Sequence, residues 1–428
     1  MRWQRTGATL AAGALLAGLS LGTAVAEPLP PTTPPPFSTP NTDSCPNKSI
    51  PPPAIDRSEV PQPGETAPRP VPVPDRTVGG ERMSECGVVL PDDAPPLPAD
   101  IAATGWMLAD VDSGEVLAAK DPHGRYRPAS TIKMLLALVA LDELDLNQTV
   151  TATPEDAATE GSAVGIGAGG QYTNMQLMQG LVMASGNDAA HVLSRQLGGD
   201  EATVAKMNAL AEELGAHDTR TATPSGLDGP GMSSSPFDLA VILHAAMKNP
   251  TFARLISTEH VEFPGFPKNP TIPGDEDKPA FALANDNQLL YNYEGSFGGK
   301  TGFTDDARHT YVGGAERDGH RLMVTLMGGE AQPLRPWEQA ARLLDYGFAL
   351  DADSVGSLEN LPVDEVSGDE TAALAAAPPD HAPSGTVQAS GSDDTGNSLA
   401  VRAGVGVVGT GVVIGLLGWA RRLGRARR

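Results

Sequence analysis

The stretch whose reading decides the rest is Ser130-Thr131-Ile132-Lys133, continued by Met134-Leu135-Leu136-Ala137-Leu138-Val139-Ala140-Leu141. An apolar run of this length without Gly or Pro, opening just after Pro128, predicts a buried helix whose first turn carries Ser130 and Lys133. Positions i and i+3 share one helix face, so the hydroxyl and the amine sit side by side. Burial lowers the pKa of an amine, and a neutral amine beside a hydroxyl can act as its base, the makings of a Lys-activated serine nucleophile. The same residues also fit a plainer arrangement, an N-capping Ser with a Lys extended into solvent, and the motif alone does not choose between the two.

Upstream, Gly105-Trp106-Met107-Leu108-Ala109-Asp110 and Glu115-Val116-Leu117-Ala118-Ala119 are strand-like runs around Asp112-Ser113-Gly114, a hairpin signal. Downstream, the polar region 147–172 with its Gly-rich run 161–170 predicts a surface loop that could wall a cleft. It lacks the G-K-[ST] ending and the preceding apolar strand of a phosphate loop. Helices are expected over 175–183, from 188, over 201–214 and over 236–247. Ser185-Gly186-Asn187 falls in the turn between the first two, where both side chains can face a cleft or Asn187 can simply cap the next helix. Strands return at 298–304, 310–315 and 321–327, the last two joined across Asp318-Gly319, and 337–348 reads as an amphipathic terminal helix. One antiparallel sheet built from both ends of a domain around a helical insertion is an α+β arrangement.

The flanks do not share this patterning. Residues 1–26 have a basic start, an apolar segment from Ala8 to Leu21 and the ending Ala24-Val25-Ala26, and read as a secretory signal peptide. Export places the two cysteines, Cys45 and Cys86, in an oxidising compartment, where a disulfide is the expectation and two free thiols the alternative. Such a bridge restricts the unfolded chain by about 4 kcal/mol on the chain-entropy account. Residues 27–98 form a Pro-rich N-terminal arm, with 17 prolines between Pro28 and Pro74, that cannot assemble a core and reads as a spacer. A Cys45–Cys86 bridge would staple the arm near the start of the folded region and lay part of it along the surface.

The folded domain is expected over 99–350. Residues 351–400, with ten acidic residues and no Lys or Arg, read as a disordered linker. Residues 401–420 read as a transmembrane helix, since the 18 uncharged residues from Ala403 to Ala420 would span about 27 Å. The tail 421–428 carries Arg421, Arg422, Arg425, Arg427 and Arg428, which favour a cytoplasmic end. Six glycines in the span keep a surface-lying or removed tail as the alternative. A formal net charge of −23 and a pI of about 4.6 exclude a general affinity for nucleic acid, and the eight His show no metal-ligand spacing, so neither a metal nor a cofactor is expected.

Three motifs thus stand in one order: Ser130-x-x-Lys133 at a helix start, Ser185-x-Asn187 in an inter-helix turn and Lys300-Thr301-Gly302 on a strand. Together with Arg127-Pro128-Ala129, Asp188-Ala189-Ala190, Pro224-Ser225-Gly226-Leu227 and Phe303-Thr304, they make the chain over about 99–350 resemble the penicillin-recognising serine enzymes. The nearest subgroup is the low-molecular-weight penicillin-binding proteins that act as D-alanyl-D-alanine carboxypeptidases, serine peptidase family S11. The resemblance implies the β-lactamase/DD-peptidase-like serine transferase fold, an α/β sandwich.

It also implies roles. Ser130 would be the nucleophile and Lys133 its base, with Ser185 relaying a proton to the leaving amine. Asn187 would hold the substrate amide or the Lys133 side chain. Lys300 would help keep Lys133 neutral and, with Thr301, bind the terminal carboxylate of D-Ala. Gly302 would leave room for the substrate backbone, and the N–H groups of Ser130 and Phe303 would form an oxyanion hole, where losing one donor typically costs about 100- to 1000-fold in rate. The implied partners are peptidoglycan stem peptides ending in D-Ala-D-Ala, β-lactams as covalent inhibitors, and the membrane through the C-terminal helix, with the catalytic domain on the cell-wall side.

Two features depart from the pattern. A linker and a span stand where some relatives have a further C-terminal β domain, and Arg335 is offset from the Arg that assists carboxylate binding in some relatives, so it is left out of the expected site. Two other readings stay open. A class A β-lactamase would resemble Ser-Asp-Asn in the second motif and carry a deacylating Glu in E-x-x-L-N, where this chain has Gly186 and Glu212-Glu213-Leu214-Gly215. A wall-binding protein could keep the cleft without turnover.

Overall fold

The structure, a computed structural model, describes residues 39–359. The expected signal peptide, the expected membrane span with its basic tail, and the acidic stretch from 360 onward lie outside the described residues. Among those described, no helix is long and apolar enough to cross a membrane.

The chain enters the sheet through β1 (Val88–Val89), β2 (Gly105–Asp110) and β3 (Glu115–Lys120), then turns into helix α1 (Lys133–Glu143). The central part runs through β4 (Thr149–Thr151), the short α2 (Pro154–Ala157), β5 (Gln171–Thr173) and helices α3 (Asn174–Met183), α4 (Asn187–Gln196), α5 (Asp200–Glu213), α6 (Pro236–Met247) and α7 (Pro250–Ser257). A ribbon of β6 (His260–Phe263) and β7 (Phe281–Ala284) and the short α8 (Leu289–Asn292) lead back to β8 (Ser296–Thr304), β9 (Arg308–Arg317) and β10 (His320–Gly329), followed by α9 (Pro336–Phe348) and β11 (Gly356–Ser357). The sheet is antiparallel in the order β1-β3-β2-β10-β9-β8, with β11 on the same edge of β3 as β1. Both ends of the domain therefore build it, as an α+β fold requires.

Its central strands are buried on both faces, which is why they read as apolar runs and not as alternation. Trp106, Leu108, Leu322, Val324 and Leu326 pack with Leu343 and Leu344 of α9, while Met107, Ala109, Met323 and Met327 join the layer containing Leu135 and Leu136 of α1 and Ile242 of α6. Helix α1 is enclosed, with Met134 to Ala137 at most 1% exposed. The β2–β3 hairpin closes on Asp110, whose carboxylate accepts from the N–H groups of Asp112 and Ser113 at 2.8 Å each.

Two expectations need correction. The region 147–172 is a surface loop only in part: β4, α2 and the start of β5 occupy its two ends, and although the run 161–170 has no regular element, the Asp188 carboxylate accepts from the N–H groups of Val164, Gly165 and Ile166 at 2.9–3.0 Å and draws Val164 and Ile166 into the core. The segment after Asp351 stays folded as far as 359, because Val355 and Leu358 bury their side chains while their N–H groups bond Val116 O and Gly114 O, both at 2.7 Å. The Pro-rich arm, by contrast, is stapled along the domain as expected of a Cys45–Cys86 bridge, and is not a free spacer. Cys45 and Cys86 are joined, with Cα atoms 5.1 Å apart, and the arm's backbone carbonyls accept hydrogen bonds from the domain's arginines: Arg125 donates to Ser49 O and Pro72 O at 2.9 Å, and Arg220 to Arg69 O at 2.7 Å.

Candidate active site

The nucleophile turn differs in detail from a helix N-terminus. Ser130 lies in a 3-10 turn, Ala129–Ile132, and α1 begins only at Lys133. Its hydroxyl caps nothing, and Lys133, with 0% exposure, does not reach solvent, so the plainer arrangement of these residues is excluded. The turn is held from two sides through Pro128 O, which accepts from Thr131 Oγ1 at 2.6 Å and from Thr310 Oγ1 of β9 at 2.7 Å. Ala129 sits at φ +48°, a conformation an L-residue adopts only where its surroundings enforce it, and Ser185 at φ +58° shares this strain.

The Lys133 amine has three partners: Ser130 Oγ at 2.8 Å, Asn187 Oδ1 at 2.7 Å and Ser225 O at 2.6 Å. An ammonium donates to all three. With one proton lost, two N–H groups still serve Asn187 Oδ1 and Ser225 O, and the lone pair is left facing the Ser130 hydroxyl, which then donates to it. Burial holds the Lys133 pKa well below the ordinary lysine range, and the charge of Lys300 lowers it further.

Asn187 opens α4 without capping it. Its Nδ2 donates to Glu160 O at 2.7 Å, so the amide is fixed at both ends, and of the two roles expected for it the geometry favours holding Lys133. Ser225 supplies a backbone carbonyl, a contribution no residue type announces; the block Pro224-Ser225-Gly226 marked the position but not the atom.

Strand β8 brings the third motif to the same place. Lys300 is 1% exposed, donates to Thr301 O at 2.7 Å, and is lowered in pKa by burial. Gly302 also has a packing role beyond the one expected. A Cβ there would stand 2.3 Å from Thr310 Oγ1, 2.9 Å from Ser130 N and 3.1 Å from the Ala129 Cβ, so the missing side chain is what lets β8 approach the nucleophile turn. Phe303 is half-exposed on the rim, its ring 4.7 Å from that of His309.

Ser130, Ser185, Thr301, Gly302 and Phe303 line one cleft of about 500 Å³, with Lys133 behind Ser130. Two other residues of its lining lie outside the expected site. Arg335 stands in its wall, although its spacing argued against it. Asp286 was not anticipated: its Oδ2 accepts from Thr301 Oγ1 at 3.0 Å, and its N–H donates to Met183 O at 2.8 Å, the last residue before the Ser185 turn. The only sequence signal was the polar triplet Asn285-Asp286-Asn287 ahead of Leu289.

No carboxylate of the Glu212-Glu213 pair lines this cleft. Glu212 faces His217 on the surface, at 3.3 Å. Among the described residues one grouping has metal-ligand chemistry, His123, Asp218 and Asp238, with ligand atoms within 4.8 Å of one another. It shares no residue with the cleft, and Arg125 and His123 already donate to the Asp218 oxygens, a closed ion-pair network and not an open coordination site.

Comparison with known proteins agrees with this architecture. Residues 92–331 match the family model for D-alanyl-D-alanine carboxypeptidase, Peptidase_S11. The chain is 49% identical over 275 residues to D-alanyl-D-alanine carboxypeptidase DacB2 of Mycobacterium tuberculosis, covering 63% of this chain and 90% of that protein. A solved D-alanyl-D-alanine carboxypeptidase from the same organism superposes with a TM-score of 0.58 at 48% identity, covering 63% of this chain and 99% of that one. A solved Streptomyces DD-transpeptidase superposes with a TM-score of 0.54 at 30% identity, covering 60% of this chain and 100% of that one. The chain belongs to the D-alanyl-D-alanine carboxypeptidase family of serine peptidases, family S11.

Proposed function

We propose that this protein removes the terminal D-Ala from peptidoglycan stem peptides through an acyl-enzyme on Ser130, and that β-lactams acylate the same oxygen. The observation that carries the reading is the buried Lys133 amine held by Asn187 Oδ1 and Ser225 O with its third position on Ser130 Oγ. Ser130 Oγ attacks the carbonyl carbon of the D-Ala-D-Ala bond as its proton passes to Lys133 Nζ. The oxyanion that forms is met by the N–H groups of Ser130 and Phe303. Collapse breaks the C–N bond, and the proton returns from Lys133 to the leaving amine with Ser185 as the relay. Water then attacks the ester in a second cycle, Lys133 taking one of its protons, and Ser130 is restored.

Lys300, Thr301 and Arg335 offer the positive and hydrogen-bonding groups that suit the free carboxylate of the terminal D-Ala, which fits an exopeptidase. The absence of Glu212 and Glu213 from the cleft lining speaks against a class A lactamase, which needs a deacylating carboxylate. The signal-like start, the apolar stretch 401–420 and the five terminal Arg support a single-pass protein whose catalytic domain faces the cell wall.

The test incubates the purified protein with a penicillin and, separately, with a peptide ending in D-Ala-D-Ala, following protein mass and released D-Ala for wild type and Ser130→Ala. A stable adduct with D-Ala release is expected, and both vanish in Ser130→Ala. Rapid β-lactam hydrolysis would select the lactamase, and D-Ala release persisting in the variant would refute the mechanism. Protease added to intact, wall-stripped cells tests the topology: a catalytic domain shielded from that protease would overturn it.

A further inference from the structure

The family model matches from residue 92, yet the arm that precedes it touches both catalytic elements. Arg127, three residues before Ser130, is 3% exposed. Its guanidinium donates to both carboxylate oxygens of Glu59 in the arm, with Nη2 to Oε2 at 2.8 Å, and Nη1 donates to Pro52 O at 2.8 Å. A few residues along, the same segment reaches the other side of the site. Ile55 N donates to Asp306 Oδ1 and Ser58 Oγ to Asp306 Oδ2 at 3.3 Å, and Asp306 lies in the turn that ends β8, the strand of Lys300, Thr301 and Gly302.

We infer that arm residues Pro52–Glu59 are a clip that positions the catalytic centre, with Glu59 as the positioning residue that acts through Arg127 on the Ser130 turn. This rests on the function proposed above. Three features make the link tight. Arg127 is bonded to a rigid Pro128, whose carbonyl is held by Thr131 and Thr310, and Ala129 beyond it is in a strained conformation that needs enforcement. A bidentate Arg–carboxylate pair fixes orientation as well as distance. Without Glu59, the buried Arg127 would keep its charge with no carboxylate facing it in the arm, and would move to find another partner. The clip is anchored at its near end by the Cys45–Cys86 bridge and farther along by Arg125 on Ser49 O, Val71 O and Pro72 O, so it is pinned on both sides of Glu59.

The experiment measures acylation of the full chain by a fluorescent penicillin, resolving the encounter constant from the acylation step, for wild type, Glu59→Ala, Glu59→Gln and Ser130→Ala, each at a fixed interval below its own Tm. The expected result is an acylation step at least about 10-fold slower in Glu59→Ala with the encounter constant little changed, and partial recovery in Glu59→Gln, which still accepts from Arg127. A slowing of less than about 10-fold in Glu59→Ala overturns the clip, whether or not Tm falls. If Glu59→Ala does not fold, Glu59→Gln decides alone: an unchanged acylation step at normal Tm refutes the inference. Failure of the wild type itself to form a Ser130 adduct would instead remove the function reading.

Discussion

Gly302→Ala separates two accounts of the third motif. If the missing side chain only leaves room for the substrate, an added methyl touches nothing until a peptide binds. The structure says otherwise: the new Cβ would lie 2.9 Å from Ser130 N and 2.3 Å from Thr310 Oγ1, against about 3.5 Å for an unstrained contact. Relief therefore needs a displacement of about 0.6 Å at the nucleophile turn and more than about 1 Å at Thr310. Thr310 cannot yield alone, since its hydroxyl holds Pro128 O at 2.7 Å and would draw that turn with it. Overpacking of this kind costs about 1–3 kcal/mol, or a fall in Tm of about 2–6 °C. Misplacement approaching 1 Å at the reacting groups costs on the order of 100-fold in rate. The assay is stopped-flow acylation by a penicillin alongside D-Ala release from a peptide, with a thermal melt. Both reactions should slow by about 100-fold. An unchanged Tm and normal penicillin acylation, with only the peptide reaction lost, would refute the packing account and restore the substrate-room one.

Other outcomes follow from the same geometry. Lys133→Met should slow acylation by about 100- to 10,000-fold, the range of a general base, with Ser130 still present; a loss under about 10-fold in mass-spectrometric adduct formation would remove Lys133 from that role. Acylation needs Lys133 neutral and Lys300 charged, so its rate should rise with pH through the lowered Lys133 pKa and fall through the lowered Lys300 pKa. In Lys300→Gln the acid limb of that profile should move to higher pH, because one of the two causes holding Lys133 down is gone, and the alkaline limb should vanish; an unmoved acid limb would contradict the coupling. Asp286→Asn removes an exposed negative charge next to Thr301, worth about 1 kcal/mol at such range, and should raise kcat/KM for peptides with a free terminal carboxylate about 5-fold near neutral pH. A decrease there would make Asp286 a substrate-binding group.

The parts of this molecule that were legible in its sequence are those where residue type carries the information. The run from Met134 to Leu141 reads as a helix enclosed by a core, because nothing polar interrupts it, and the strands of β2 and β10 read as apolar because helices cover both faces. Ser130, Lys133, Asn187 and Lys300 were legible because their chemistry is in the side chain. The docking of the Pro-rich arm is legible only in outline, through its cysteines, for the opposite reason. Its composition correctly excludes a core of its own, but it docks by offering backbone carbonyls to Arg125, Arg127 and Arg220, and every residue has a carbonyl. The anchoring of the loop 161–170 escapes residue type likewise, since Asp188 gathers backbone N–H groups there.

The same asymmetry reaches the reacting atoms. One of the two acceptors that turn the Lys133 lone pair toward Ser130 is a side chain, Asn187 Oδ1, and the other is the main-chain oxygen of Ser225. Ser225→Ala leaves that oxygen in place, so side-chain substitution at the position cannot report its role. Asn187→Ala removes half the support and leaves the amine free to rotate about the remaining Ser225 contact. The orientation of the base is thus shared between a residue that a motif can name and a backbone atom that only the fold can place. The strain at Ala129 and the close approach of Gly302 belong with the second kind. They explain why the spacing Ser130-x-x-Lys133 is common among proteins, whereas a Lys amine stripped of solvent and aimed at a serine needs the whole sheet and helical lobe around it.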